Sequence, residues 1–332
     1  MGRVRALLLG AAISAVLCGC GSATTTPDAA AQRNAVVARY PVVDGSTALH
    51  PLGRMAACEL LNVKCVWSAP DGANVERTYV PGPDAPKATA DQILAMKFNT
   101  THAAYLNLID GKADVLLEVR APSSDELAAA QAKGVTLEVT PVALDAFVFL
   151  ANVDNPVESL PLATIRDIYS GKITTWQQAG VTLADPTSPI HAYQREPDSG
   201  SQGLMVSMVM KDTPVIDAPD RIVKTMVGPF NAIGGDSQTG EGGDRLGFGF
   251  SVFFYAAVMF DNAHVKIIGV DGVKPTAPAI AGHTYPLADE AYAVTLKGAA
   301  ADSPGRRYVE WLLSAAGQRA VGLRGYIPLA GG

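Results

Sequence analysis

Two hydrophobic rhythms alternate along the chain. Short runs rich in Val, Ile, Leu and Phe predict strands over residues 36–43, 64–68, 113–118, 135–139, 145–151, 190–193, 266–270 and 292–296. Between them, apolar residues spaced three and four apart predict helices over 51–61, 91–96, 102–108, 125–133, 159–170, 202–211, 303–315 and 318–323. In the 159–170 helix Pro161 stands near the first turn and Gly171 follows the last, the usual asymmetry of helix start and stop. The longest apolar run, 246–260, is broken by glycines and reads as a buried strand leading into a helix. Strands alternating with helices imply α/β layers built on mostly parallel sheets. A length of 332 residues fits two such lobes, at roughly 150 residues per domain.

The N-terminus departs from this pattern. Arg3 and Arg5 precede an apolar stretch over 6–17, then Leu17-Cys18-Gly19-Cys20. A basic head, a short apolar middle and small residues at the cut describe a secretory signal. The apolar part is too short for a bilayer, which needs about 20 residues, and no other segment could span one. Cysteine after Leu-Cys-Gly has the form of a bacterial lipoprotein signal, with Cys20 the acylated first residue of the mature chain; the other reading is an ordinary cleaved signal. The following stretch, rich in Ala, Thr and Ser, reads as a flexible tether, with the packed body starting near Asn34. Outside the cytoplasm disulfides persist. Cys58 and Cys65 either form a bridge, worth roughly 2–3 kcal/mol in the chain-entropy model, or remain two buried thiols.

Composition narrows the classes. Hydrophobic residues make up 48%, charged residues 17%, and the net charge is −6, which excludes disorder. Without the first 19 residues the chain carries 24 basic and 32 acidic side chains, a balance of −8. No basic run occurs, so nucleic acid is not an expected partner.

Three segments place small hydroxyl residues between a strand and a helix: Asp44-Gly45-Ser46-Thr47, Asn99-Thr100-Thr101-His102 and Arg195-Glu196-Pro197-Asp198-Ser199-Gly200-Ser201. A helix start offers unpaired N–H donors and the positive end of its dipole, which suit an anion. Ser199 and Ser201 add hydroxyls, Gly200 allows close approach of the backbone, and Arg195 offers a planar fork of donors. Each segment could equally be a capped helix start. In open α/β sheets ligands bind beyond the carboxyl ends of strands, so two lobes would bring such starts face to face.

The order of longer motifs adds a resemblance. Asp44 to Thr47, Asn152-Val153-Asp154-Asn155-Pro156, the run from Ile168 to Trp176, Arg195 to Ser201, Asp271 to Thr276, Tyr285-Pro286-Leu287, Trp311 to Ser314, Gly317-Gln318 and Gly325 to Leu329 follow one another over roughly residues 38–330. Together they resemble the phosphate-binding lipoproteins of ABC phosphate importers, with the two-lobed type II periplasmic-binding-protein fold. The resemblance implies a signal peptide over 1–19 and a tether over 20–34. It implies one lobe from 35–143 with 288–332 and a second from 144–287, each a central mostly parallel sheet flanked by helices. It implies a lipid-anchored, monomeric, extracytoplasmic binding protein without cofactor, closing on inorganic phosphate or a related oxyanion and delivering it to an ABC permease. Ser46 and Thr47 match the first hydroxyl site, Arg195, Ser199, Gly200 and Ser201 the arginine and serine loop, and Thr100 and Thr101 a middle site.

The chain departs from that family after Ala113-Asp114-Val115, where Glu118-Val119-Arg120-Ala121-Pro122 replaces a serine-bearing stretch. Glu118 could accept a proton from the anion or repel it, or be a solvated strand end; Arg120 is a further candidate. Enzyme readings fit less well. Ser199-Gly200-Ser201-Gln202-Gly203 lacks the first glycine of a nucleophile elbow. Gly235 to Gly240 has P-loop spacing, but Glu241 follows where a lysine belongs. The five histidines, His50, His102, His191, His264 and His283, show no metal-ligand spacing. The remaining alternative is a cell-surface sensor or binding module that keeps the fold without transport.

Overall fold

The computed structural model describes residues 29–68, 77, 79–236, 239–260, 262–323 and 325–329. The leader and Cys20 lie outside the described residues. In chain order the first part of the body forms α1 (Ala29–Val37), β1 (Val43–Gly45), α2 (His50–Leu60), β2 (Cys65–Trp67), β3 (Tyr79–Pro81), α3 (Lys87–Leu94), α4 (Thr101–Ile109), β4 (Val115–Glu118) and α5 (Ser124–Ala132). Then follow β5 (Leu137–Asn152), β6 (Ser159–Leu160), α6 (Leu162–Tyr169), β7 (His191–Ala192), β8 (Gln194–Arg195), α7 (Gly200–Leu204), β9 (Ile222–Val223) and α8 (Gly228–Gly234). The chain closes with β10 (Gly247–Val252), β11 (Val265–Val270), α9 (Ala277–Ala281), β12 (Ala288–Leu296), α10 (Pro304–Leu313) and α11 (Ala315–Leu323).

β5 organises the sheet. It is 16 residues long and every residue from Val142 onward is buried. From Leu137 to Ala146 it pairs antiparallel with β12, skipping Val142 at a register shift, and from Phe147 it pairs antiparallel with β10 on one side. β11 joins it antiparallel from Phe149 to Asn152. β4 adds to β12, and β1 adds to β4 in parallel. One sheet thus runs through two groups of strands that share β5.

Three expectations are corrected here. The predicted strands over 135–139 and 145–151 are one strand, because Pro141, which breaks the pattern, is absorbed opposite a register shift at Ala291/Tyr292. The sheet is mixed rather than mostly parallel: only β1–β4, β7–β10 and β6–β11 run parallel within it. Helical crossovers are visible in a sequence, whereas strands that return from a distant segment and pair antiparallel are not. Finally, the stretch read as tether turns helical at Ala29. Val36 on that helix is fully buried and the Arg33 Nε donates to the Leu60 carbonyl at 2.8 Å, which ties it to α2.

An aromatic cluster fills the core beneath β5. Phe149 stacks on Phe248 with ring centroids 5.4 Å apart, and Trp176 meets Phe248 edge-on at 5.9 Å. Near the edge, Cys58 of α2 is joined to Cys65 of β2 by a disulfide. The helix predicted over 202–211 starts earlier, at Gly200, and widens into a π turn over Met205–Met210.

Asp145 sits where β5 exchanges β12 for β10. It is buried, and its Oδ1 accepts the N–H groups of Ala146 and Phe254 at 2.8 and 3.0 Å, while Oδ2 has no partner. Burial raises its carboxyl to about 7, against the two N–H groups that favour ionisation, with Asp289 adding to the rise. A folded-state value above the unfolded one of about 3.9 means the stabilisation is complete below about pH 4 and is lost as pH rises through 7. Asp145→Asn keeps the acceptor and removes the titration. It should be more stable than the parent by about 2–4 kcal/mol at pH 8 in urea unfolding, with the difference vanishing toward pH 4. Parallel pH profiles for the two proteins would contradict this placement of the proton.

Candidate functional site

The site begins at the carboxyl end of β1. Gly45 has φ +149°, and a Cβ there would lie 2.1 Å from the Leu117 carbonyl oxygen, so only glycine lets the chain turn against β4. Ser46 follows, its N–H donating to that same carbonyl at 2.9 Å. The Ser46 Oγ accepts from Ala48 N–H at 3.3 Å and caps the short 3-10 turn over Thr47–Leu49. The capping role and a place in the cleft therefore coexist in one residue.

Asp44 holds the next piece. Its Oδ1 accepts the N–H groups of Gly45 (2.7 Å) and Asn99 (3.0 Å), and its Oδ2 accepts the side-chain amides of Asn99 and Asn107, both at 2.8 Å. Four donors on one buried carboxylate fasten the loop before α4 to the end of β1. Thr100 and Thr101 at the start of α4 are thereby placed beside Ser46 and Thr47.

The other side comes from β8 and α7. The Arg195 Nε donates to the Val223 carbonyl at 3.0 Å and Nη2 to the Lys224 carbonyl at 3.2 Å, which fixes the plane of the guanidinium. Nη1 points toward the Ser201 Oγ at 3.4 Å and the Met226 sulfur at 2.9 Å. The Arg195 N–H donates to Gln202 Oε1 at 2.9 Å, closing the loop on itself, and the hydroxyls of Ser199 and Ser201 lie 3.0 Å apart.

These groups surround one cleft with about 320 Å³ of atom-free space, lined by Ser46, Thr47, Thr100, Thr101, Arg195, Ser199, Gly200 and Ser201 together with Ala48, Val119, Met226 and Val252. Arg195 is the only charged side chain among the described residues that line it. The start of α7 closes tightly on the start of α4: a Cβ on Gly200 would meet Thr101 Oγ1 at 2.5 Å and Val119 Cγ2 at 2.6 Å. One turn on, a Cβ on Gly203 would meet Arg120 Nε at 2.6 Å.

Glu118 and Arg120 do not line this cleft. Arg120 is bound through both terminal nitrogens to Glu126, at 2.7 and 2.8 Å, and faces a larger cavity with His102, Asp125 and Tyr292. Burial works to raise the Glu126 carboxyl, but the Arg120 fork and the Ser123 N–H hold it below its usual range. Glu118 is wholly buried, and burial pushes its carboxyl well above the usual carboxylate range. A solvated strand end is therefore excluded for Glu118. Sequence reasoning also missed Asn107 and Gln202, which fix the loops through Asp44 and the Arg195 N–H, and Met226, which lines the cleft beside Arg195; nothing in their spacing marked them.

Residues 84–316 match the PBP superfamily domain, and the protein belongs to that family. The chain is 26% identical over 241 residues to Protein SphX of Synechococcus elongatus, covering 69% of this chain and 67% of the relative. Its fold is similar to that of a protein from Clostridium perfringens described as a phosphate ABC transporter substrate-binding protein with bound phosphate, at 20% identity and a TM-score of 0.61, covering 86% of this chain and 98% of the other. An ABC-type phosphate transport receptor from Vibrio cholerae is similar at 20% identity and a TM-score of 0.56, with the same coverage of 86% and 98%.

Asp44→Ala should release the loop before α4. With three neighbours losing a charged, buried acceptor, the folded state should lose about 3 kcal/mol in urea unfolding at pH 7. An unchanged midpoint would show that Asn99 and Asn107 are held by other means.

Proposed function

We propose that the protein is an extracytoplasmic solute-binding protein that captures inorganic phosphate, or a similar tetrahedral oxyanion, between its two halves and presents it to an ABC permease. The observation that carries this reading is the convergence of six hydroxyl residues and one buried guanidinium on a single small cleft. A tetrahedral oxyanion has several oxygens that each accept hydrogen bonds. Alcohol and backbone donors from both sides satisfy them, while Arg195 offsets the charge. With water excluded, each charge-assisted bond is stronger than it would be in solvent. Fixing Arg195 by two carbonyls before the anion arrives lowers the cost of ordering it on binding. The shared fold with two proteins described as parts of phosphate ABC transport supports phosphate as the solute and an importer as the destination.

Calorimetry of the ligand-stripped body with phosphate, sulfate and other oxyanions tests the reading: heat with phosphate is expected, and none with any oxyanion would remove it. Arg195→Ala should weaken binding by several kcal/mol, as removal of a desolvated charge partner does, while unfolding remains cooperative. Unchanged affinity would place the site elsewhere.

Lipid anchoring at Cys20 belongs to the same proposal, supported by the signal pattern ahead of it; among the described residues no helix is long and apolar enough to cross a membrane. Cys20→Ala should move the protein from the membrane fraction to the soluble fraction of expressing cells. Retention in the membrane would refute the anchor.

A further inference from the structure

β4 presents alternate residues to opposite sides. Val115, Leu117 and Val119 join the main core, whereas Leu116 packs with Ala104 and Tyr105 of α4. Glu118 shares the Leu116 face and so points toward α4, behind the cleft wall. It is 0% exposed, and neither carboxyl oxygen has a hydrogen-bond partner. Thr101, 1% exposed, lines the cleft and its Oγ1 is likewise buried without a partner. Thr101 is the one side-chain hydroxyl that acts on the Glu118 carboxyl, although the two do not complete a bond of full geometry in this arrangement.

The surroundings decide the charge of this carboxyl. An ionised carboxylate in such a place needs donors or a cation. Arg120, the nearest guanidinium, is bound bidentate to Glu126. The remaining groups that bear on Glu118 are two acids, Glu126 and Asp44, which oppose a second negative charge. The Tyr105 hydroxyl of α4 donates to the Arg120 carbonyl at 2.9 Å. Tyr292, opposite Glu118 on β12, donates its hydroxyl to Asp289 and Glu290. For a carboxylate the donors left among these groups are the single Thr101 hydrogen and the Arg120 Nε, which makes no hydrogen bond, too few to offset its burial, whereas a carboxylic acid finds an acceptor in the Thr101 oxygen.

We infer that Glu118 is a neutral carboxyl group that donates its hydrogen to Thr101, and so turns the Thr101 hydroxyl into the cleft as a donor to the anion. This rests on the oxyanion reading of the cleft and makes Glu118 a positioning residue for it. The two protonation states have opposite consequences. A neutral Glu118 occupies the Thr101 oxygen and frees its hydrogen for the solute. An ionised Glu118 would take that hydrogen, leave Thr101 as an acceptor, and set a second negative charge behind the bound anion.

The test is a double-mutant cycle with inorganic phosphate, followed by calorimetry at pH 6.5. Glu118→Leu and Thr101→Val should each weaken binding about tenfold, and the double variant should bind no more weakly than Thr101→Val alone. Glu118→Gln, which restores an uncharged N–H donor, should recover binding to within about threefold of the parent, which a purely space-filling role would not require. Wild-type affinity in Glu118→Leu, additive losses in the double variant, or a Glu118→Gln protein as weak as Glu118→Leu would each overturn the inference. If Glu118→Leu fails to fold, the carbon chemical shift of the Glu118 carboxyl in the unaltered protein decides: a protonated carboxyl at pH 7 is expected, and an ionised one contradicts it. Absence of phosphate binding in the parent would instead strike the oxyanion reading, and the carbon shift would still report the state of Glu118.

Discussion

The site depends on the contact at which the start of α7 meets the start of α4. Gly200 lies so close to Thr101 and Val119 that a single added carbon would overlap both. That approach brings Ser199, Ser201 and Arg195 from one side within reach of Ser46, Thr47, Thr100 and Thr101 from the other. Neither side alone encloses a small anion. Together they form a cavity lined by hydroxyl residues and Arg195, with apolar Val119, Met226 and Val252 among them.

The buried carboxyl groups of the fold are matched by their neighbours in distinct ways. Asp44 is matched by four donors and fixes a loop. Glu126 is matched by the Arg120 fork and the Ser123 N–H at the head of α5. Asp145 has two N–H donors for one oxygen and none for the other, and its proton affinity rises accordingly. Glu118 has none of these, and its environment favours the neutral form. A buried acid is therefore an anchor or a proton carrier according to how many donors its neighbours supply.

The hydroxyl residues were legible in the sequence because their position, after a strand and before a helix, already carries a physical meaning. The same is true of Arg195, which stands at the end of a short strand. Glu118 and Arg120 were misplaced because their roles depend on which face of β4 each side chain takes and on the distant Glu126, neither of which spacing reveals. Pro141 concealed the continuity of β5 since a proline in a strand pattern usually marks an end. The short helices α8 and α9 carry Gly228-Pro229 and Pro278 in their first turns, and too few apolar repeats for a period to emerge. Segments with strong periodicity, such as α2, α6 and α10, needed no tertiary information.

The central claim is that one cage, built from both halves around Arg195, holds a tetrahedral oxyanion. A crystal structure of the ligand-stripped protein grown with phosphate addresses it most directly. The account predicts tetrahedral density in the cleft within hydrogen-bond distance of Arg195, Ser201 and the Thr101 hydroxyl. An empty cleft at saturating phosphate, or density bound at a separate surface, would contradict it.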